Sequence, residues 1–231
     1  MIPLRQTIPN VTVPVVNRAL VAVNVIVFIA QLFMGAQTER IIATFGYIPA
    51  RLMHPDAWHY APWEVAITLV SSLFLHGGFV HLAGNLIYLW VFGGAVEDAL
   101  GRGRYLALYL ACGAAGSLTH TLVFPQSAIP SIGASGSIAG LLGAFLIVRP
   151  HAKIVTLFPL VVYWAMAEIP AIVFLPVWFG MQFFNGFLSI EAARRTQEVA
   201  GIAWWAHIGG FVFGMAVAFV LRWREQRVRI Q

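Results

Sequence analysis

The strongest constraint on the fold is the recurrence of long apolar segments along the 231-residue chain. Hydrophobic residues make up 60% of the sequence and charged residues only 10%, whereas a soluble domain has roughly 25% charged residues. A membrane-spanning helix needs about 20 predominantly apolar residues. Segments of that kind occupy residues 17–36, 81–99, 104–124, 169–189 and 203–221, and a shorter one occupies 135–148. The sequence therefore predicts an all-α, polytopic membrane protein built as a bundle of six transmembrane helices.

Two segments of this plan are unusual. Residues 37–68 are too polar to span a membrane and yet rich in aromatic side chains. Because Trp and Tyr favour the depth of the lipid headgroups, this mixture predicts an interfacial loop between the first and second spans. The fourth apolar segment, 135–148, would measure only about 21 Å as a helix. We therefore expect its first residue, Ser135, to lie below the membrane surface at the end of a loop sunk into the protein.

The distribution of basic residues predicts the orientation in the membrane. With the N-terminus inside, ten of the fourteen Lys and Arg residues lie on the inner side of six spans, and basic residues favour the cytoplasmic side. These ten are Arg5, Arg18, Arg102, Arg104, Arg149, Lys153, Arg222, Arg224, Arg227 and Arg229. Both termini are therefore expected in the cytoplasm, as short tails at residues 1–16 and 223–231 that flank a six-span domain at residues 17–222. The same orientation places Ser135 towards the outer face.

The remaining composition excludes two classes of protein. The net charge of +5 does not indicate a nucleic-acid partner, because the cations flank apolar segments and form no separate basic domain. The single cysteine, Cys112, lies inside an apolar segment, which excludes a disulfide framework and a thiolate metal cluster. The lipid bilayer is thus the expected surrounding of most of the chain.

The sequence Gly133-Ala134-Ser135-Gly136 marks the point where a loop containing Pro125 and Pro130 becomes a helix. Glycines allow another backbone or a substrate to approach closely. The start of a helix supplies unpaired N–H groups and the positive end of the helix dipole, both of which suit a developing oxyanion. Ser135 is therefore a candidate nucleophile.

Strongly polar side chains also occur where lipid is expected, in the second span, in the turn before it and in the sixth span. His81 and Asn85 are four residues apart and share one face of the second span, and His76 lies in the turn before them. His207 lies among small residues in the sixth span. Such side chains are costly inside a membrane and generally mark function.

Small residues predict which of these spans meet. Gly210 and Gly214 form a small face on the sixth span that favours close helix approach. The fourth span has a matching small face, made of Gly136, Ala139, Gly140 and Gly143. If the two faces pack together, His207 comes within hydrogen-bonding distance of the Ser135 hydroxyl.

That arrangement predicts nucleophilic catalysis by a pair of residues. His207 would remove the proton of Ser135, which attacks a carbonyl, and would later protonate the leaving amine. The Ser135 N–H, the Asn85 amide and His81 would stabilise the oxyanion. Each feature alone has a simpler interpretation: small residues pack helices, a histidine can be a structural hydrogen-bond donor, and His81 with Asn85 can clamp two helices. Their occurrence together on three separate spans favours the chemical interpretation.

These residues also carry a family pattern. His76, His81 and Asn85 fit H-x4-H-x3-N, Gly133 to Gly136 fit G-x-S-G, and Ala206-His207 with Gly210 and Gly214 fits A-H-x-x-G-x-x-x-G. The chain resembles the rhomboid family of intramembrane serine proteases, in its minimal bacterial six-span form.

The resemblance implies an intramembrane serine endopeptidase with a water-filled cavity that opens outward and is gated by the fifth span and a covering loop. By similarity, Ser135 is the nucleophile, His207 the base, and His81 and Asn85 oxyanion donors. It further implies that supporting roles fall to His76, Gly133, Gly136, Gly210 and Gly214. The expected substrates are single-span membrane proteins cut in or near the outer part of their transmembrane segment. No cofactor or metal is implied, and the expected location is a bacterial inner (plasma) membrane.

The sequence departs from the family pattern at two places. Many members have Trp-Arg in the first long loop, where this chain has Ile67 and Thr68. Several members have an aromatic residue four positions after the serine that stacks on the histidine, where this chain has Ala139. We therefore expect His207 to be held by other contacts.

Two other functions compete with proteolysis. One is a catalytically inactive relative that binds membrane helices, against which the intact Ser135, His207 and Asn85 argue. The other is a metal-dependent hydrolase or transporter that uses His76, His81 and His207. The sequence has no H-E-x-x-H motif and no well-placed carboxylate to complete such a metal site.

Overall fold

The computed structural model describes residues 1–159, 164–196 and 201–228. The helices are α1 (Val15–Met34), α2 (Thr38–Phe45), α3 (Pro49–Met53), α4 (Pro55–Trp58), α5 (Pro62–Ser71), α6 (Phe79–Tyr88), α7 (Gly94–Leu100), α8 (Arg102–Val123), α9 (Ser135–Val148), α10 (Ala171–Thr196) and α11 (Trp204–Val228). The strands are β1 (Ile2–Gln6), β2 (Lys153–Pro159) and β3 (Trp164–Pro170). A π-helical segment, Leu89–Gly93, joins α6 to α7 into one continuous rod.

The helices confirm the predicted polytopic all-α bundle. In the described part of the chain, five helical segments are long and apolar enough to cross a membrane, namely Val15–Phe45, Phe79–Leu100, Arg102–Val123, Ala171–Arg195 and Trp204–Trp223. The sixth, α9, has only 14 residues. It lies at the centre of the bundle against α8 and α11, and every residue from Gly136 to Phe145 is buried. A short helix fits this position because it is surrounded by protein and not by lipid.

Glycines allow α9 and α11 to cross in close contact. A methyl group on Gly210 would overlap the carbonyl oxygen of Gly136, and one on Gly214 would overlap that of Gly140. Gly143 meets the carbonyl of Phe211 in the same way. The backbones therefore touch directly, as in other small-residue helix contacts in membranes.

The connection between the first two spans contains the short helices α2 to α5. In this connection Arg51 is buried and donates a 2.7 Å hydrogen bond to the carbonyl of Ala43. Its guanidinium also lies 4.3 Å from the ring centroid of Tyr60 and 5.5 Å from that of Trp58. These cation–π contacts link the short helices of the connection to one another.

The strands were not anticipated from the sequence. Residues 1–16 were expected as a tail and the fifth span was expected to begin at residue 169, yet β1, β2 and β3 form an antiparallel sheet in that order. Ile2 pairs with Leu157, and Lys153 pairs with Pro170. The fifth spanning helix therefore begins at Ala171, whose N–H donates to the carbonyl of Ala152 over 2.8 Å. The local sequence pattern predicts these strands poorly, because they have seven residues or fewer and are stabilised by pairing with other segments.

Two carboxylates fix the N-terminal segment onto the bundle. The buried Glu97 accepts hydrogen bonds from the N–H groups of Val16 and Asn17, at 3.0 and 2.7 Å, which satisfies the first turn of α1. Asp98 accepts hydrogen bonds from Thr12 and forms a 2.9 Å ion pair with Arg149. At the other end of the chain, α11 continues to Val228 through most of the expected tail at 223–231, and residues 229–231 lie outside the described part of the chain.

Candidate active site

A fixed loop presents Ser135 at the first position of α9. Gly133 has a φ of +110°, a backbone conformation that side-chain-bearing residues rarely adopt, and its N–H donates to the Ser72 carbonyl over 2.8 Å. Upstream, Ser131 and Tyr47 exchange two backbone hydrogen bonds of 2.7 and 3.1 Å. The loop is thus tied to the connection between the first two spans, and Ser135 is only partly buried at its end.

The structure brings Ser135 and His207 together. The Nε2 atom of His207 lies 2.8 Å from the Oγ atom of Ser135, although the two residues are 72 positions apart. The histidine is buried, with 8% of its surface exposed. The close crossing of α9 and α11 produces this distance, because Gly136 and Gly210 lie within one turn of the serine and the histidine.

The opposite side of the His207 ring contacts α10. Its Nδ1 atom lies 2.9 Å from the Oε1 atom of Gln182. Trp178 lies across the ring with centroids 6.3 Å apart, and Trp204 meets it edge-on at 5.9 Å. These side chains hold the imidazole in a chain that has Ala139 at the position of the usual aromatic residue. Sequence reasoning missed Gln182, although a carboxamide in an apolar span was a usable signal.

The second group of predicted residues lies on α6 and the turn before it. Asn85 donates a 2.9 Å hydrogen bond from its amide to Nε2 of His76, whose Nδ1–H donates to the Phe74 carbonyl over 3.2 Å. Gln31 of α1 then pairs with both the N–H and the carbonyl of His76, each at 3.0 Å. His76 is therefore buried behind Asn85 and positions it.

His81 faces the serine loop. A Cβ atom on Gly133 would lie 2.6 Å from the Nε2 atom of His81, so the ring packs directly against the glycine. The Nδ1 atom of the same ring accepts a 3.4 Å hydrogen bond from the Gly77 N–H. Nε2 is then the nitrogen that carries the proton in the neutral ring, and it points towards the loop that carries Ser135.

These groups line a cavity of about 900 Å³. Its polar wall contains Ser135, His207, His81, Asn85 and Gln182, together with the backbone of Gly133 and Gly136. Gly210 and Gly214 lie behind this wall in the helix contact, where they have a packing role. Gly136 differs from them, because a Cβ at this position would be in ordinary contact with Ala206, at 3.6 to 3.8 Å.

Within residues 1–159, 164–196 and 201–228, no cluster of three His, Cys, Asp or Glu residues has the geometry to hold a metal ion. His76, His81 and His207 thus do not form a three-ligand site.

Comparison with known proteins decides the family. The Rhomboid domain family model matches residues 63–224, which include every residue of the polar wall. The chain belongs to the rhomboid family. The family includes intramembrane serine proteases, and some of its members are pseudoproteases.

Several curated rhomboid proteins are similar to this chain. RHOMBOID-like protein 5 of Arabidopsis thaliana is 35% identical over 160 residues, which cover 68% of this chain and 45% of that protein. Rhomboid protease GluP of Bacillus subtilis is 37% identical over 121 residues, or 52% of this chain and 22% of that protein. Rhomboid protein 1, mitochondrial, of Saccharomyces cerevisiae is 41% identical over 93 residues, which cover 38% of this chain and 27% of that protein. The matches span less than half the length of these relatives.

Proposed function

We propose that this rhomboid is an intramembrane serine endopeptidase. Its substrates would be single-span membrane proteins, cleaved in or near the outer part of their transmembrane segment. The observation that carries the proposal is the 2.8 Å contact between His207 Nε2 and Ser135 Oγ at the wall of a 900 Å³ cavity. A cavity of this volume is large enough for several residues of an unwound peptide.

In the proposed reaction, His207 takes the hydroxyl proton of Ser135 as the oxygen attacks the scissile carbonyl. The tetrahedral intermediate collapses when His207 delivers that proton to the leaving amine, which leaves an acyl ester on Ser135. A water molecule, deprotonated by His207, then attacks the ester. When this second intermediate collapses, the acid product leaves and Ser135 Oγ takes the proton back from His207. These steps conserve all atoms and electrons without an oxidant, a reductant or a metal ion.

The negative oxygen of each intermediate would be stabilised by the Ser135 N–H, the Asn85 amide and Nε2–H of His81. The start of α9 supports this role because its first N–H groups lack partners inside the helix and its dipole favours negative charge. The contact of His76 with Asn85 supports it further, since a donor held in place needs no reorganisation during the reaction. Gly133 and Gly136 would let the peptide approach the serine, while Gly210 and Gly214 keep the histidine near it.

The proposed membrane placement follows from the basic residues. Residues 17–222 would form the catalytic domain of a bacterial plasma-membrane protein, with residues 1–16 and 223–231 on the cytoplasmic side. The catalytic cavity would then open to the outer face, which matches the proposed site of cleavage. The ten-to-four distribution of Lys and Arg supports this orientation.

The test is cleavage of a model single-span protein after both proteins are reconstituted in liposomes. We expect cleavage by the wild type, none by Ser135→Ala or His207→Ala, and no effect of a strong chelator. Circular dichroism and gel filtration show whether each variant is folded. Binding of the substrate without cleavage would favour the inactive relative, and cleavage by folded Ser135→Ala would overturn the proposed mechanism.

A further inference from the structure

The Gln182 side chain on α10 is held in one orientation. Its Nε2 atom donates a 3.2 Å hydrogen bond to the carbonyl of Trp178, one turn earlier in the helix. Its Oε1 atom lies 2.9 Å from Nδ1 of His207, and the side chain is buried. A flipped amide would place two carbonyl oxygens against each other at Trp178. The carbonyl oxygen of Gln182 is therefore the atom that faces the imidazole.

This orientation determines which nitrogen of His207 carries the proton. A carbonyl oxygen only accepts hydrogen bonds, so Nδ1 must donate to it. In the neutral ring, Nε2 then has the free electron pair, and it is this atom that lies 2.8 Å from Oγ of Ser135. In the other tautomer, Nε2–H would point at the hydroxyl and no base would face it.

We propose that Gln182 is a positioning residue that holds His207 in the tautomer able to act as the base. The proposal rests on the proposed serine hydrolysis and adds a third member to its Ser135–His207 pair. When His207 takes up a proton, its hydrogen bond to Gln182 becomes charge-assisted and therefore stronger. A neutral carboxamide thus has the orienting function that a carboxylate has in other serine hydrolases.

The proposal also ties the chemistry to the position of α10. Ser135 is on α9 and His207 on α11, whereas Gln182 and Trp178 both reach the imidazole from α10. An outward displacement of α10 would remove the acceptor and the ring contact together. The base-competent tautomer is therefore favoured only while α10 is packed as it is here.

Two substitutions separate orientation from packing. Gln182→Met keeps the length of the side chain but removes the acceptor, and we expect kcat to fall about 10- to 100-fold with KM within about twofold. Gln182→Glu, as the neutral acid, keeps a carbonyl acceptor for Nδ1 and an O–H donor for the Trp178 carbonyl, so it should retain most of kcat. The matched control is Asn185→Leu, because Asn185 bonds its own helix in the same way, over 2.8 Å to Met181, but lies outside the cavity. We expect this control to match the wild type.

A measurement independent of cleavage separates this proposal from the proposed function. ¹⁵N NMR of His207 should show Nδ1 protonated at high pH in the wild type and in Gln182→Glu, and a mixture of tautomers in Gln182→Met. If the wild type is active, an unchanged kcat or an unchanged tautomer in Gln182→Met would overturn the role of Gln182 and leave the proposed proteolysis intact. An inactive wild type with the Nδ1–H tautomer would overturn the proteolysis and leave the orientation by Gln182 intact.

Discussion

The substitution Gly210→Ala tests how the helix contact controls the active site. Gly210 of α11 packs against the backbone of Gly136 on α9, and an added methyl group would overlap the carbonyl oxygen there. Backbone atoms cannot rotate away as a flexible side chain can. We therefore expect the two helices to move apart by about 1 Å, until carbon and oxygen reach ordinary contact.

The structure gives the size of the effect. His207 lies one turn before Gly210, so a shift of this size would lengthen the 2.8 Å contact with Ser135 to roughly 3.8 Å, outside hydrogen-bonding distance. A displacement of 1 Å can reduce a rate by about 100-fold. Overpacking at the same place should lower the free energy of unfolding by about 1–3 kcal/mol. Gly210→Ala should therefore be folded and nearly inactive.

The assay is the rate of labelling by a serine-reactive fluorophosphonate, together with thermal unfolding in the same detergent. The matched control is Gly180→Ala on α10, where a methyl group would meet no atom within 4 Å. Alanine is the better helix former, so this control should label at the wild-type rate with equal or higher stability. Wild-type labelling and stability in Gly210→Ala would show that this glycine contact does not set the distance between Ser135 and His207.

Three further predictions concern the serine loop, the oxyanion donor Asn85 and the cap of α1. Gly133→Ala should abolish cleavage in a folded protein, because it strains a backbone at φ +110° and pushes on His81; wild-type turnover in that variant would contradict this. Asn85→Ala should lower kcat about 10²- to 10³-fold with little change in KM, measured on a single-span substrate, as expected for one oxyanion donor. Glu97→Ala should lower the free energy of unfolding by about 1–2 kcal/mol, measured by thermal unfolding, while the folded fraction keeps its kcat, because Glu97 caps α1 and does not line the cavity.

Much of the fold and of the site could be predicted from the sequence because membrane insertion makes local patterns informative. Apolar segments must be helical in lipid, so their lengths gave the spans, including the short helix at residues 135–148. Small residues on two of these segments indicated which helices touch. Polar residues are rare in such segments, and this rarity singled out Ser135, His207 and Asn85 as candidates.

The parts that could not be predicted depend on contacts between distant segments. The strand Ile2–Gln6 is stabilised by pairing with Leu157 and its neighbours, and no local pattern in a short N-terminal segment reveals that partner. Gln182 is one polar residue on a long helix, and only the relative rotation of α10 and α11 decides whether it meets His207 or lipid. Arg51 likewise acquires its role from aromatic rings brought beside it by the fold of the loop.

Identification of the labelled residue shows whether His207 activates Ser135 as a nucleophile. The folded protein is treated with a fluorophosphonate, and the adduct is located by mass spectrometry of peptides from the wild type and from His207→Ala. We expect a single adduct on Ser135 in the wild type and almost none in the variant. An unlabelled wild type, or equal labelling of Ser135 without the imidazole, would contradict it.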